Sequence, residues 1–172
     1  MFHTYWNNLE LYNSKFIKGW YISGDQAKID EDGYIWLLGR VDDVMNVSGH
    51  RISTAEVESA LVDHPAVAEA AVVGATDETT GQAIVGYVIL RGTHQASPEL
   101  AEEVRKHVST KLGPIARPRA VFLVPDLPKT RSGKIMRRLL RDVAEGRALG
   151  DTTTLADPAV VDSLKEQYGD EE

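Results

Sequence analysis

The sequence predicts an α+β fold in which a small domain, with a few-stranded sheet flanked by helices, follows a β-hairpin segment. Strand-like and helix-like segments alternate irregularly from about residue 43 to residue 145, which is typical of a small α+β sandwich. A strong hairpin signal lies upstream of that region. The chain has 172 residues, enough for one domain of about 100–150 residues and some additional chain.

The first 25 residues lack a clear hydrophobic period and are rich in aromatic and asparagine side chains. These side chains are Phe2, Tyr5, Trp6, Asn7, Asn8, Tyr12, Asn13, Phe16, Trp20 and Tyr21. So many aromatic rings in a short segment need a large partner surface to bury them. We therefore expect this segment to pack on something that is absent from this chain.

Residues 26–38 predict a β-hairpin, because Asp32-Gly33 separates two β-forming runs and glycine accepts the positive φ of a tight turn. The acidic cluster around Asp30 and Asp32 also resembles a calcium loop. Its glycine comes too early, however, and no glutamate closes the loop at the required position. Turn chemistry is the preferred interpretation.

Three helices are predicted between the hairpin and residue 144. The capping box from Ser53 to Glu56 opens a helix that runs to about residue 62. Ser97-Pro98 starts a second helix, which runs to about residue 112, with proline at its first position. Apolar spacing predicts a third helix over residues 135–144.

Strands are expected at residues 67–75, 83–90 and 120–124, and the short segment 41–48 is expected to be extended. The end of the chain, from residue 152, is expected to be loose and acidic with one short helix.

The net charge of −7 is concentrated at the end of the chain, where nine acidic residues from Asp142 onward face two basic ones. The overall acidity therefore says little about partners. Residues 129–141, by contrast, hold six basic residues and no acidic one, and this stretch can meet phosphates. The absence of cysteine excludes disulfides, thiolate metal sites and a cysteine nucleophile.

No apolar run reaches the roughly 20 residues that span a bilayer, and the N-terminus has no signal-peptide pattern. We expect a cytoplasmic protein that does not enter a membrane.

The most unusual segment is residues 128–134, in which Ser132-Gly133 precedes Lys134. This pattern predicts a mobile loop that can bring a cation to an anion and withdraw it. A phosphate-binding P-loop is rejected, because position 128 would have to be glycine and position 135 serine or threonine. A solvated basic loop and a nucleic-acid patch are alternatives. The lack of interleaved aromatic residues argues against base stacking.

Two further segments carry residue types that bind nucleotides. Residues 39–52 contain Arg40 beside two aspartates, and Arg51 just beyond the Ser48-Gly49 turn can reach a phosphate. A surface salt bridge is the alternative for this cluster. Asp25 follows a glycine turn, where a carboxylate can accept both hydroxyls of a ribose, although such turns are also common without a ligand.

Together and in this order, the three segments resemble the C-terminal signature motifs of the AMP-forming, adenylate-forming enzymes, and most closely their acetate-activating branch. Residues 21–25 resemble the ribose motif, residues 39–52 the hinge motif, and residues 128–138 the motif of the catalytic lysine. The segment 151–158 resembles the end of the acetate-activating enzymes in particular.

The resemblance implies that residues 1–41 are the last segment of a large adenylating domain, residues 42–145 a small mobile domain, and residues 146–172 an acidic tail. Members of the family are several times longer than this chain. Their phosphate loop, adenine pocket and acyl pocket lie in the large domain. The chain alone is therefore expected to be inactive.

The same resemblance implies a reaction in two halves, in which acetate and ATP give acetyl-AMP and pyrophosphate, and CoA then displaces AMP to give acetyl-CoA. Asp25 would accept the ribose hydroxyls with help from Arg40. Lys134 would bridge the acetate carboxylate and the α-phosphate.

Asp42 would be the hinge about which the small domain rotates between the two halves. The rotation would bring in the Ser48-Gly49 turn, whose lack of bulk lets the pantetheine of CoA pass. Arg51 would contact the nucleotide phosphate or CoA.

ATP, AMP, CoA and Mg²⁺ are expected to belong to the complete enzyme, with none bound tightly by this chain and no metal site on it. Lys134 is also an expected acetylation site, so a lysine acetyltransferase and an NAD-dependent deacetylase are expected partners, and nucleic acid is not. Alternatives are a ligase for propionate or another short acid, and a non-catalytic module that binds nucleotides or has a regulatory role.

Overall fold

The computed structural model describes residues 3–168, apart from the side chains of Leu38, Asp42, Gln167 and Tyr168. The chain divides into two compact units, Met1–Asp42 and Asp43–Glu172.

The first unit consists of one short helix and two hairpins. Helix α1 (Leu9–Ser14) precedes the pair β1 (Phe16–Ile17) and β2 (Trp20–Tyr21), and a longer antiparallel pair follows, β3 (Asp25–Ile29) and β4 (Ile35–Arg40). The longer pair confirms the hairpin predicted from Asp32-Gly33.

The β3–β4 turn is held by the carboxylate of Asp30. Its Oδ1 atom accepts hydrogen bonds from the backbone N–H groups of Asp32 and Tyr34, and its Oδ2 atom accepts one from Trp36 Nε1 at 2.7 Å. The bond from Trp36, together with these backbone donors, lowers the pKa of Asp30. The acidic cluster therefore serves the turn, as the sequence indicated.

Many large apolar side chains of the first unit lie at the surface. Trp6 is 91% exposed, Trp20 77% and Leu37 77%, and helix α1 has no buried residue. These side chains have no core of their own within the described residues, which agrees with the expectation that they need a further surface.

The second unit is built on a five-stranded sheet with the order β6-β5-β8-β7, in which β9 also pairs with β8. Its strands are β5 (Val44–Val47), β6 (His50–Ser53), β7 (Val67–Asp77), β8 (Gly81–Leu90) and β9 (Ala120–Leu123). All neighbours are antiparallel except β9, which runs parallel to β8. The helices are α2 (Thr54–Val62), α3 (Pro98–Leu112), α4 (Arg137–Ala144) and α5 (Ala159–Tyr168). The α+β fold class is confirmed.

The sheet has an apolar core on each face. Along β7, Val72 belongs to a cluster that includes residues of α2 and α3, whereas its neighbour Val73 belongs to a cluster that includes residues of α4 and α5. Alternate side chains of a strand point to opposite faces. The central strands are therefore buried on both sides.

The prediction of a loose chain end is wrong for residues 155–164. Leu155 is 4% exposed, and Val161 and Leu164 are each 1% exposed, all within the cluster beneath α4. Burying one such side chain contributes about 1.5–3 kcal/mol. The acidic residues between them remain at the surface, so an acidic composition hid an amphipathic segment.

Two helix starts differ in detail from the prediction. Ser53 precedes α2 as expected, but its side chain makes no capping hydrogen bond, whereas Ser97 Oγ does accept one from Leu100 N at α3. Helix α4 begins at Arg137 because Ile135 is paired with Lys129 in a short antiparallel bridge. Among the described residues, no helix combines the length and apolar character needed to cross a membrane.

Candidate functional site

In the first unit, Asp25 and Arg40 face each other at the end of the β3–β4 hairpin. They are partners in the strand register, and Arg40 Nη1 lies 3.5 Å from Asp25 Oδ1. Arg40 Nη1 also donates to the backbone oxygen of Ser23 at 3.0 Å. The guanidinium group thus orients the carboxylate, and both side chains remain about half exposed.

Gly24 gives the guanidinium group of Arg40 its space. The residue has φ +81°, and a Cβ atom placed on it would lie 3.0 Å from Arg40 Nη2. Its carbonyl oxygen accepts a hydrogen bond from Val41 N at 2.9 Å. A side chain at position 24 would therefore strain the backbone and push the arginine away from Asp25.

In the second unit, Ser48 and Gly49 form the two-residue turn between β5 and β6. Both residues have positive φ, 49° for Ser48 and 82° for Gly49, as hairpins of this kind require. Ser48 N donates to Thr80 O at 2.8 Å, which ties the turn to the β7–β8 connection. A Cβ atom on Gly49 would meet nothing within 4 Å, so open space lies beside the turn.

Arg51 lies on β6, opposite Asn46 in the strand register, and is exposed. Neither Arg51 nor Lys134 forms an ion pair within residues 3–168. Both are cations held on ordered backbone and open to solvent. Over the same residues, no hydrogen bond joins Lys134 to Arg51 or to the Ser48-Gly49 turn, so the structure places these residues on separate elements of the second unit.

Lys134 ends a tight turn that four hydrogen bonds close. Thr130 N donates to Lys134 O at 2.8 Å, and Gly133 N donates to Thr130 O at 2.8 Å. Thr130 Oγ1 accepts from Lys134 N at 3.1 Å and lies 3.0 Å from Ser132 Oγ. Gly133 has φ +82°.

The structure shows this segment as a hydrogen-bonded turn, and its mobility stays a prediction. Ser-Gly sequences favour flexibility, but here the serine hydroxyl and the glycine conformation are both used to close the turn. The lysine side chain is exposed, whereas its backbone N–H and carbonyl groups are both hydrogen-bonded within the turn.

Two ion pairs, which sequence reasoning missed, anchor the chain on either side of the turn. Lys129 Nζ lies 2.7 Å from Glu69 Oε2 of β7. Arg137 binds Glu58 of α2 through two nitrogen atoms, and Glu58 Oε1 also accepts a hydrogen bond from Val72 N at 2.9 Å. Burial works against the charged form of Arg137, but the contact with Glu58 raises its pKa. Since each pair joins residues at least 60 positions apart, nothing in the local sequence indicates it.

The predicted hinge residue, Asp42, lies where the chain divides. Its backbone belongs to the 3₁₀ turn Val41–Asp43, and the two compact units meet in sequence between Asp42 and Asp43. Its side chain lies outside the described residues.

Comparisons with known proteins show what this chain is similar to. The AMP-binding enzyme C-terminal domain matches residues 56–134. The chain is 62% identical over 98% of its length to an acetyl-coenzyme A synthetase of Gemmatimonas aurantiaca, of which it covers 27%. It is 70% identical over 86% of its length to the acetyl-coenzyme A synthetase of Rubrobacter xylanophilus, of which it covers 23%.

Solved structures show the same likeness. The crystal structure of the anthranilate CoA ligase AuaEII in complex with anthranoyl-AMP matches 81% of this chain with a TM-score of 0.70 and 38% identity, and the match covers 27% of that protein. The chain spans about a quarter of the length of the curated relatives named above.

Proposed function

We propose that this chain is the C-terminal portion of an AMP-forming acetate–CoA ligase, and that residues 56–134, which match the AMP-binding enzyme C-terminal domain, form its small domain. The observation that carries the proposal is the high identity of nearly the whole chain to acetyl-coenzyme A synthetases. The complete enzyme converts acetate, ATP and CoA to acetyl-CoA, AMP and pyrophosphate. This chain supplies the catalytic lysine, and a missing N-terminal domain supplies the acyl pocket and the phosphate loop.

In the first half-reaction, an acetate oxygen attacks the α-phosphorus of ATP and the bond to pyrophosphate breaks. Lys134 contacts both the carboxylate and the α-phosphate and offsets their mutual repulsion. A compact ammonium group on a flexible stem suits this task. One charge pair at roughly 4 Å and an effective dielectric of about 20 contributes on the order of 4 kcal/mol before desolvation. The exposure of Lys134 and its lack of an ion pair within residues 3–168 support this role.

Asp25 accepts the ribose hydroxyls of the nucleotide. Arg40 contacts its Oδ1 atom, and Oδ2 accepts no hydrogen bond from the described residues. Arg40 thus orients one carboxylate oxygen, and both oxygens keep lone pairs that can accept ribose hydroxyls.

In the second half-reaction, the sulfur of CoA attacks the acetyl carbon of acetyl-AMP, AMP leaves, and the thiol proton passes to solvent. We assign the change between the halves to a rotation of the small domain about Asp42. The rotation withdraws Lys134 and brings the Ser48-Gly49 turn beside the pantetheine chain, with Arg51 on a phosphate of the nucleotide or of CoA. The hydrogen bonds that close the Lys134 turn support a domain movement over a loop movement.

Mg²⁺ would accompany ATP, and we place its ligands mostly on the missing domain. Within the described residues, no group of three or more His, Cys, Asp or Glu side chains could hold a metal ion.

We also propose that the enzyme is cytoplasmic and that acetylation of Lys134 controls its activity. An acetyl group removes the cation and blocks adenylation, and an NAD-dependent deacetylase restores it.

The test is Lys134→Ala in the complete enzyme. Acetate-dependent exchange of pyrophosphate into ATP should fall by at least about 100-fold, whereas thioester formation from supplied acetyl-AMP should be retained. Arg131→Ala, which removes a charge from the same exposed turn, should cause a much smaller loss. Equal losses in both half-reactions for Lys134→Ala would contradict the assigned role.

A further inference from the structure

Residues 151–156 run beside the turn that carries Lys134 and contain a turn followed by one bridging residue, Leu155. We name this segment the tail strand after that bridge, although it forms no regular strand. Arg131 N donates to Thr154 O at 3.3 Å, and Ala156 N donates to Lys129 O at 2.8 Å. Between these bonds, Thr130 and Leu155 pair as an antiparallel β-bridge. One bridge and two backbone hydrogen bonds thus join the tail strand to the residues from which the Lys134 turn is built.

One buried side chain holds the tail strand to the body of the domain. Leu155 is 4% exposed and belongs to the same apolar cluster as Leu139 and Leu140 of α4. The other residues of the tail strand are exposed. Leu155 therefore connects an exposed strand to the core beneath it.

Helix α4, which follows Lys134, also holds the start of the tail strand. Arg138 donates to the backbone oxygen of Asp151, and Asp142 Oδ2 accepts a hydrogen bond from Gly150 N at 3.1 Å. The tail strand is thus fixed at its start by α4 and along its length by residues 129–131.

We infer that the tail strand is a positioning element for Lys134 and that Leu155 and the N–H group of Ala156 are its main positioning groups. The inference rests on the proposed function, which assigns the target of the lysine. A flexible side chain reaches a reacting centre accurately only if its backbone is fixed, and an error of about 1 Å can cost up to roughly 100-fold in rate. The tail strand supplies this fixation from a distant part of the sequence.

A purely structural role would have a different consequence. If the tail strand only stabilised the domain, its loss would lower both half-reactions together, because both need the folded domain. A positioning role lowers the turnover number of adenylation and leaves thioester formation, in which Lys134 is withdrawn, unchanged.

The first experiment uses Ala156 in the complete enzyme that contains this chain. Ala156→Pro removes the N–H donor to Lys129 O, whereas Ala156→Gly keeps it, and the alanine side chain is exposed. For the proline variant, kcat for acetate-dependent pyrophosphate exchange should fall by about 10-fold or more, with KM for ATP and thioester formation retained. The glycine variant should resemble the wild type. Parallel losses in both half-reactions, or none, would overturn the inference.

A second pair of variants separates positioning from loss of stability. Leu155→Ala and Leu164→Ala remove the same atoms from the same apolar cluster, but Leu164 lies in α5. Adenylation should fall more for Leu155→Ala than for Leu164→Ala, even where the two unfold at the same denaturant concentration. An equal fall would assign the effect to stability and overturn the inference.

Amide hydrogen exchange tests the tail strand independently of activity. In Leu155→Ala, the amides of Arg131 and Ala156 should lose protection while that of Val73 in β7 keeps it. Unchanged protection at Arg131 and Ala156, in an enzyme that forms acetyl-AMP, would overturn only this inference. A wild-type enzyme that forms no acetyl-AMP would overturn the proposed function instead.

Discussion

At the scale of single residues, the Asp25–Arg40 pair shows how a small residue can place two charged ones. Arg40 reaches both Asp25 and the backbone of Ser23 because Gly24 has no side chain in its path. The ion pair is about half exposed and contributes little to stability. Its value lies in the orientation of the carboxylate.

Gly24→Ala should therefore impair nucleotide binding in the complete enzyme. The new Cβ atom displaces the guanidinium group, and Asp25 loses its orientation, so KM for ATP should rise while the protein stays folded. Gly33→Ala is the matched control, because Gly33 has a similar φ of +87° but open space around its Cβ position. Steady-state kinetics of both variants would check this, and an equal rise in KM for the two would assign the effect to backbone strain alone.

The features that could be predicted from the sequence are those that depend on residues close together in the chain. The Asp32-Gly33 turn and the Ser97 cap were predicted because each depends on neighbours within a few positions. The motif residues Asp25, Arg40 and Lys134 were predicted because their types in that order resemble a family. The partners of the motifs were not predicted, since Glu58, Glu69 and Leu155 reach them across long stretches of sequence.

At the scale of elements, helix α4 is the part of the second unit that joins the Lys134 turn to the rest of the domain. It follows Lys134, binds Glu58 through Arg137, holds the start of the tail strand through Arg138, and buries Leu139, Leu140 and Val143 against the sheet. Tyr87 of β8 adds a direct link, since its hydroxyl donates to Leu140 O at 2.9 Å. Sequence periodicity predicted this helix but not its attachments, which depend on the packed sheet.

Tyr87→Phe should destabilise the domain by about 1 kcal/mol near neutral pH, because it removes one buried hydrogen bond. Burial raises the pKa of Tyr87 above the ordinary tyrosine value. The folded state therefore keeps its proton at a pH where the unfolded chain loses it, and the stabilisation is lost as pH rises past about 10. Urea unfolding should show a smaller difference between wild type and variant above that pH than at neutral pH. A difference that grows with pH would contradict the assigned hydrogen bond.

At the scale of the whole molecule, the division into Met1–Asp42 and Asp43–Glu172 separates the proposed roles. The first unit carries Asp25 and Arg40 and exposes many aromatic side chains, which suits a segment that completes a larger domain. The second unit carries Lys134 and the Ser48-Gly49 turn on separate elements of one compact domain. If each half-reaction uses a different element of the second unit, the chain must turn at the boundary between the units.

Asp42→Pro in the complete enzyme tests this turning. Proline fixes φ at about −65° and so restricts the backbone at the boundary, whereas Asp42→Ala removes the carboxylate and leaves φ free. Thioester formation should fall by at least about 10-fold in the proline variant, with pyrophosphate exchange retained as proof that the domain is folded and able to deliver Lys134. The alanine variant should keep both half-reactions, because the hinge needs backbone freedom and not charge. Unchanged thioester kinetics in Asp42→Pro would place the pivot elsewhere in the chain.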